Sequence, residues 1–151
     1  MRAILQRVEH AFVVVEGKKV GEIGRGVLVL LGVEKGDGPA DAAALAAKLG
    51  GLRLFEDEEG KTNLGVAEAG GAFLVVSQFT LAASLRKGRR PSFDLAARPE
   101  DAEPLVAAVM EDLRSQGFAT QGGKFRAAMK VHLVNDGPLT FVLEVRQGKV
   151  L

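Results

Sequence analysis

Hydrophobic and polar residues alternate loosely over residues 2–15, which is typical of a β-strand with one buried face. The polar segment at 16–19 then predicts a turn before a short second run at 20–23. Residues 27–33 form an unbroken β-branched and aliphatic run, bounded by Gly26 and by a Gly- and Pro-containing segment. The pattern therefore predicts an opening hairpin followed by a strand buried on both faces.

The middle of the chain is richer in alanine and predicts two helices. Residues 40–49 predict the first, with Pro39 in its first turn and two glycines after it as a stop. A short apolar run at 52–55 precedes an acidic turn, and residues 72–81 predict a second buried strand that ends in polar residues. A long polar loop at 82–98 then leads to a helix over residues 101–116, which Gly117 ends.

The last third contains two strand-like runs, 129–134 and 139–145, separated by Asn135-Asp136-Gly137-Pro138, which predicts a turn. Two helices are too few to cover both faces of one mixed sheet, so we expect a second layer of strands. The prediction is a compact single α/β domain with layered helices and β-sheets, spanning residues 1–151.

Composition narrows the function classes. The chain has no cysteine and only two histidines, His10 and His132, which argues against thiol chemistry and metal catalysis, so we expect no metal and no cofactor. A net charge of +1 argues against a protein that coats nucleic acid, so any RNA contact must be local. Without a signal-peptide pattern or a long apolar run, we expect a cytoplasmic protein that does not contact the membrane.

Ser77, Gln78, Phe79 and Thr80 are the first candidates for chemistry, because they lie at the carboxyl end of a predicted buried strand. Ligand-binding groups in α/β sheets are commonly presented there. Polar residues at a strand end also serve as turn formers, and neither histidine has a spacing to Ser77 that indicates a catalytic triad. The residues alone leave both interpretations open.

Four cations stand within residues 86–91 and suit nucleic-acid phosphates, although such a run is also typical of a solvated loop. These cations are Arg86, Lys87, Arg89 and Arg90. Further basic residues would extend the patch: Arg7, Lys124, Arg126 and Lys130. Three aromatic residues either stack on a base or belong to the core: Phe79, Phe93 and Phe125.

The segment Asn135-Asp136-Gly137-Pro138 resembles a simple hairpin turn when taken alone. If the bond before Pro138 were cis, the neighbouring carbonyl groups would be held in one direction as fixed hydrogen-bond acceptors. Such a surface would suit discrimination by shape.

Five segments, taken together and in this order, resemble the D-aminoacyl-tRNA deacylase family. They are residues 1–8 (MRAILQRV), 52–57 (LRLFED), 77–81 (SQFTL), 86–93 (RKGRRPSF) and 135–140 (NDGPLT). The resemblance implies hydrolysis of the ester that joins a D-amino acid, or glycine, to the 3′-terminal adenosine of tRNA. It also implies a homodimer with the active site at its two-fold interface.

By this resemblance, Gly137 and cis-Pro138 of one subunit enter the pocket that residues 77–80 line in the other. Their carbonyl oxygens accept hydrogen bonds from the substrate ammonium, and their backbone occupies the space that an L side chain would need. Arg7 anchors this segment, and Asn135 belongs to the same chiral-selection group. Rejection of L-aminoacyl-tRNA follows from that geometry.

The resemblance further places Phe125 and Met129 in the adenosine pocket, Gln78 beside the substrate, and the cations of residues 86–90 on tRNA phosphates. Backbone N–H groups near Phe79 and Thr80 would stabilise the oxyanion. Two routes remain open: Thr80 as nucleophile, or water attack assisted by the adenosine 2′-hydroxyl. The second is favoured because the sequence offers no general base beside Thr80.

The chain departs from the family pattern at residues 122–126, where the family usually has Thr-Gly-x-Phe-Gly. Gly122 stands in place of the hydroxyl residue and Arg126 in place of a small residue. Two alternatives also remain: an L-serine editing domain of the archaeal threonyl-tRNA synthetase type, and an RNA-binding module without hydrolysis. The Gly137-Pro138 pair argues against the editing domain.

Overall fold

The computed structural model describes residues 1–151, which form nine strands, two α-helices and one turn of 3-10 helix at Phe79–Ala82. The helices are α1 (Pro39–Gly51) and α2 (Pro99–Ser115). The strands are β1 (Arg2–Val15), β2 (Lys18–Ile23), β3 (Gly26–Gly32), β4 (Arg53–Glu56), β5 (Thr62–Gly65), β6 (Ala72–Ser77), β7 (Thr120–Gly122), β8 (Lys130–Arg146) and β9 (Lys149–Val150). Neither α-helix is long and apolar enough to cross a membrane.

Seven strands form one mixed sheet in the order β7-β6-β3-β1-β8-β9, with β2 paired to β1. Strands β3, β6 and β7 are parallel, and the other pairs are antiparallel. The first half of β1 pairs with β3, whereas residues 11–15 pair with β2. The sheet therefore curls, and β2 approaches β7 so closely that the carbonyl of Gly122 leaves no room for a Cβ at Gly21.

Apolar clusters lie on both faces of this sheet. The larger apolar cluster lies between the sheet and the two helices and includes Leu5, Leu45 and Val109. Phe55 of the small β4–β5 sheet is buried in the same cluster. A second cluster, which includes Val13 and Leu74, is enclosed by the curl of the sheet. The second strand layer that the sequence predicts is thus largely the far half of the same sheet.

The opening hairpin and the buried third strand lie where the sequence predicts them. Helix α1 extends past its predicted end and includes Gly50. At Gly50 the side chains of Gln116 and Phe118 occupy the space that a Cβ would need. Strand β6 is shorter than predicted and ends at Ser77, since the next residues turn into the 3-10 helix. The sequence did not predict strand β5, because only one of its four residues has a large apolar side chain and no alternating pattern is visible.

The start of α1 is tied to the end of the chain through Asp41, which is buried. Its carboxylate accepts hydrogen bonds from the N–H of Gly38 and the N–H of Gly148, both at 2.9 Å. Burial raises the pKa of this carboxyl group, but the two backbone hydrogen bonds outweigh that effect and hold the pKa below the ordinary value of 3.8. Asp41 therefore stays ionised in the native state near neutral pH.

The predicted turn at residues 135–138 is wrong. The two runs on either side of it belong to one strand, β8, and both pair antiparallel with β1 in the same direction. Asn135 is opposite Val8 and Thr140 is opposite Gln6, so residues 136–139 bulge out beside Arg7 alone. A hairpin and a wide bulge use the same turn-forming residues, and only the pairing partner distinguishes them.

Candidate active site

A cavity of about 530 Å³ opens at the carboxyl ends of the parallel strands β3 and β6. Eleven of its 15 lining residues are hydrophobic, and Arg126 is the one that carries a charge. The walls come from the ends of both strands, from α2 and the segment before it, and from the loop before β8 and the start of β8: Leu31, Val33, Val76, Ser77, Gln78, Phe79, Ala97, Pro99, Ala102, Val106, Phe125, Arg126, Ala127, Met129 and Val131. Its volume suits a small organic group rather than a nucleic-acid duplex.

Ser77, Gln78 and Phe79 form one wall of this cavity, as the strand-end position predicts. The N–H of Gln78 donates to the carbonyl of Leu31 at 2.8 Å, which continues the β3–β6 pairing for one more residue. The 3-10 turn then uses N–H groups from Leu81 onward, so those of Phe79 and Thr80 take no part in its hydrogen bonds. Two backbone donors therefore remain beside the cavity wall.

Thr80 does not line the cavity, although it lies next in sequence to residues that do. Its hydroxyl oxygen accepts a hydrogen bond from Nε2 of Gln78 at 2.5 Å. Neither histidine belongs to this wall, because His10 pairs with Val134 on β8 and His132 stacks on Phe12 with ring centroids 4.4 Å apart. No histidine side chain therefore serves Thr80 as a base within one chain.

The lining of the cavity also contains Phe125 and Met129, the two residues assigned to the adenosine pocket. Phe125 is the second residue of a tight turn closed by a hydrogen bond from the N–H of Ala127 to the carbonyl of Lys124 at 3.2 Å, and Met129 follows this turn. Arg126, the third residue of that turn, has a φ of +65°, a value that favours glycine and is required there by a type II turn. This explains why a small residue suits the position, and an arginine there costs about 1 kcal/mol.

Gly122 lies in β7, beside Met110 of α2. A Cβ at Gly122 would come within 2.6 Å of the Met110 methyl carbon, so the methionine side chain fills the space that a threonine would need. The two departures from the family pattern thus differ in kind. At Gly122, the side chain of Met110 from α2 occupies the space of the missing side chain, whereas Arg126 lines the cavity.

Arg7 holds the bulge in β8 through a hydrogen bond to its backbone. Its Nε donates to the carbonyl of Asp136 at 3.1 Å and lies 3.3 Å from the Asp136 carboxylate, while Nη1 donates to the carbonyl of Leu54 at 2.8 Å. Arg7 is buried, so its assignment to an exposed basic patch is wrong. The partners Leu54 and Asp136 were not predicted, because a backbone carbonyl leaves no signature in the sequence.

Asn135 closes the base of the bulge. Its Nδ2 donates to the hydroxyl of Thr140 at 2.9 Å, and its Oδ1 accepts from the N–H of Leu139 at 3.0 Å. Within the bulge, the Gly137–Pro138 peptide bond is cis, and both residues are exposed to solvent. Asn135 therefore holds the segment in shape rather than facing the cavity of its own chain.

The bulge and the cavity lie far apart within one chain. Ser77 is level with Leu31 on β3, which is level with Ala3 on β1, whereas the bulge leaves β8 beside Arg7, four residues further along. Val131, near the start of β8, lines the cavity, but the bulge begins at residue 136, five residues further along that strand, and none of its residues lines the cavity. The structure therefore brings the strand-end residues together with Phe125 and Met129, but not with Gly137 and Pro138.

The basic segment forms an exposed loop closed by two hydrogen bonds between the backbones of Ser84 and Ser92. Its cations, Arg86, Lys87, Arg89 and Arg90, are exposed and make no ion pair. At the base of the loop, Phe93 packs on Phe79 with ring centroids 5.2 Å apart, and the two residues are 42% and 58% exposed. These aromatic rings are therefore available at the surface rather than buried in the core.

No three His, Cys, Asp or Glu side chains are grouped as metal ligands would be. The polar groups at the cavity are instead a hydroxyl, an amide, one guanidinium and backbone N–H groups. Such a set can orient a neutral ester, donate to a developing oxyanion and attract one anionic group.

Comparisons with known proteins give a consistent relationship. The family model described as D-Tyr-tRNA(Tyr) deacylase matches residues 4–144. The D-aminoacyl-tRNA deacylase of Geobacter metallireducens is 59% identical over 144 residues, which is 95% of each chain. That of Symbiobacterium thermophilum is 55% identical over 144 residues, again 95% of each chain.

Two solved structures are also similar. One, described as c-Myc DNA Unwinding Element Binding Protein, is 41% identical with a TM-score of 0.90 and covers 97% of this chain and 99% of that one. The other, described as a probable eukaryotic D-amino acid tRNA deacylase, is 19% identical with a TM-score of 0.76, covers 93% and 97%, and supports the fold alone. The family match and the identities over nearly full length confirm the resemblance seen in the sequence, and the chain belongs to the D-Tyr-tRNA(Tyr) deacylase family.

Proposed function

We propose that this protein hydrolyses the ester bond of D-aminoacyl-tRNA in the cytoplasm and releases free D-amino acid and tRNA. The observation that carries the proposal is the apolar cavity that Ser77, Gln78 and Phe79 line together with Phe125 and Met129. An adenosine ring would pack against the second group, and the aminoacyl ester would lie against the first. The names of the bacterial relatives support this activity.

The active site is shared between two copies of the chain. One chain alone keeps its Gly137–Pro138 bulge away from its own cavity, so a two-fold partner would supply it. Strand β8 suits such a contact, because it exposes Val134, Phe141 and Val142. Strand β9 pairs with β8 only at Val145 and Arg146, so the rest of that edge of β8 is open to another chain.

Stereochemical selection would come from backbone atoms of the bulge. Carbonyl groups held by the Arg7 and Asn135 contacts would accept hydrogen bonds from the substrate ammonium. The same backbone would occupy the position of an L side chain, whereas a D side chain points outward and glycine has none. The enzyme would therefore also cleave glycyl-tRNA while it rejects L-aminoacyl-tRNA.

Hydrolysis would proceed by direct attack of water on the ester carbonyl carbon. The N–H groups of Phe79 and Thr80 would donate to the oxyanion, after which the bond to the ribose oxygen breaks and that oxygen takes up a proton. The adenosine 2′-hydroxyl would position the water. Direct attack by water fits a site where the Thr80 hydroxyl accepts a hydrogen bond from the Gln78 amide and has no histidine beside it.

The decisive experiment compares the hydrolysis of D-tyrosyl-tRNA and L-tyrosyl-tRNA by purified protein, with glycyl-tRNA as a third substrate. Rapid cleavage of the D and glycyl esters with the L ester left intact is the expected result. Cleavage of L-seryl-tRNA alone would instead indicate an editing domain. Binding of tRNA without release of any amino acid would indicate an RNA-binding module and overturn the proposal.

Mixing two impaired variants tests the shared site. Gly137→Ala alters the bulge, where a Cβ would come within 2.9 Å of the Leu139 backbone nitrogen at a φ of +135°. Phe125→Ala alters the cavity wall instead. Randomly mixed subunits would form heterodimers that each contain one intact site, so roughly a quarter of the wild-type activity should return. Recovery limited to the sum of the two variants would show that each chain builds its own site.

A further inference from the structure

The turn formed by residues 124–127 carries a feature that the fold alone does not require. Arg126 adopts a φ of +65° at the position where a glycine would be relaxed. Its side chain is exposed, lines the cavity and makes no salt bridge. A residue kept in an unfavourable conformation at a cavity is a candidate for function.

Resting on the proposed function, we infer that Arg126 is a specificity-determining residue that binds the phosphodiester on the 5′ side of the terminal adenosine of tRNA. Arg126 is the one formal charge in an otherwise neutral wall. The aminoacyl end of the substrate is an ammonium ion, and the adenosine is neutral. The phosphodiester is therefore the group of opposite sign that the substrate brings to this part of the site.

This placement also orders the substrate within the cavity. A guanidinium at the cavity repels the substrate ammonium, and the uncharged polar side chains of the lining are Ser77 and Gln78, so the ammonium would lie beside these two residues. The ammonium would there meet the carbonyl acceptors of the partner's bulge. Charge thus fixes the direction of the aminoacyl-adenosine, while the apolar walls supply most of the contact.

The test uses two small substrates, 3′-O-D-tyrosyl-adenosine and its 5′-phosphate. The wild-type protein should show a KM about fivefold lower for the phosphorylated compound, because one partly exposed charge-assisted hydrogen bond is gained. Arg126→Gln should abolish that difference with little change in kcat, and Arg126→Lys should restore part of it. An unchanged preference in Arg126→Gln would overturn the assignment.

Hydrolysis of D-tyrosyl-tRNA by wild-type protein is measured first, and its absence would contradict the proposed function whatever Arg126 does. With this substrate, Arg126→Gln should also lower the salt slope of log KM by about one, as loss of a single phosphate contact does. An unchanged KM and an unchanged slope would again overturn the role of Arg126.

Arg126→Gly separates the role of the side chain from its effect on the fold. Glycine relaxes the positive φ, so the melting temperature should rise while the phosphate preference disappears. Gln147→Gly is the matched control, because Gln147 has a φ of +51° and lies in the turn before β9 rather than at the cavity. That variant should also melt higher but keep the wild-type KM. Loss of phosphate preference in both variants would contradict the inference.

Discussion

The guanidinium of Arg7 lies beneath the bulge of β8 and donates through Nε to the backbone carbonyl of Asp136 at 3.1 Å. A second hydrogen bond, from Nη1 to the carbonyl of Leu54, fixes the other end of the same group. A buried side chain thus sets the position of an exposed segment, because the guanidinium plane has little freedom once both carbonyls are engaged. The Gly137–Pro138 pair follows directly after Asp136, so its direction depends on this contact.

Replacing Arg7 by methionine should therefore affect both stability and stereoselectivity. The buried carbonyl of Leu54 loses its donor, and we expect the free energy of unfolding to fall by about 3 kcal/mol. The ratio of D-tyrosyl-tRNA to L-tyrosyl-tRNA hydrolysis should fall as well. Urea denaturation and single-turnover kinetics measure the two effects.

Asp136→Asn is the matched control for Arg7. It removes the carboxylate, which is 41% exposed, but keeps the backbone carbonyl that Arg7 contacts. The loss of stability should stay below about 1 kcal/mol, and selectivity should persist. Equal losses in both variants would mean that the ion pair, rather than the backbone contact, holds the bulge.

Thr80→Val distinguishes the two hydrolytic routes. Valine has nearly the shape of threonine but no hydroxyl, so a substrate-assisted reaction should lose less than about tenfold in kcat, whereas loss of a nucleophile would cost about 10⁴-fold or more. A tRNA ending in 2′-deoxyadenosine should react at least about 100-fold more slowly with the wild-type protein. Trapping of an acyl-enzyme would contradict the substrate-assisted route.

The exposed loop at residues 86–90 should bind phosphates of the tRNA. Arg89→Ala combined with Arg90→Ala is expected to weaken tRNA binding and to lower its salt slope by about two, because two phosphate contacts are lost. Lys18→Ala combined with Lys48→Ala removes the same charge elsewhere on the surface. Binding measured between low and moderate salt checks the effect, and equal slopes for the two double variants would place the contact surface outside this loop.

Asp41 should make part of the stability dependent on acid pH. Its pKa in the native state lies below the ordinary 3.8, so its contribution is present above pH 3.8 and is lost as pH falls through the native value. Urea midpoints should decline less steeply below pH 3.8 in Asp41→Asn than in the wild type. Asp94→Asn, at an exposed position, serves as the control and should follow the wild type.

Much of the local structure follows from the sequence. The apolar run at residues 27–33 is buried because nearly all side chains on both faces of this strand are aliphatic. The turns at Gly17 and Gly117 lie where the backbone adopts a positive φ. The family resemblance also depends on linear motifs, and it directs attention to Ser77, Gln78, Phe125 and Met129. All four lie in one cavity.

Other features depend on which segments pair. The residues Asn-Asp-Gly-Pro predict a turn in any context, and they form a bulge here because β1 continues alongside both halves of β8. The conformation of Arg126 is likewise invisible in the sequence, since the turn from Lys124 to Ala127 places an arginine where glycine is preferred.

The sequence by itself determined the alternation of strands and helices, the family and the residues at the strand end, because these depend on side-chain periodicity and on short motifs. Only the tertiary structure decided that Arg7 is buried and hydrogen-bonded to Asp136, and that the bulge of β8 does not line the cavity of its own chain. Those relationships arise from backbone carbonyls and from long-range strand pairing, neither of which is encoded in the identity of any neighbouring residue.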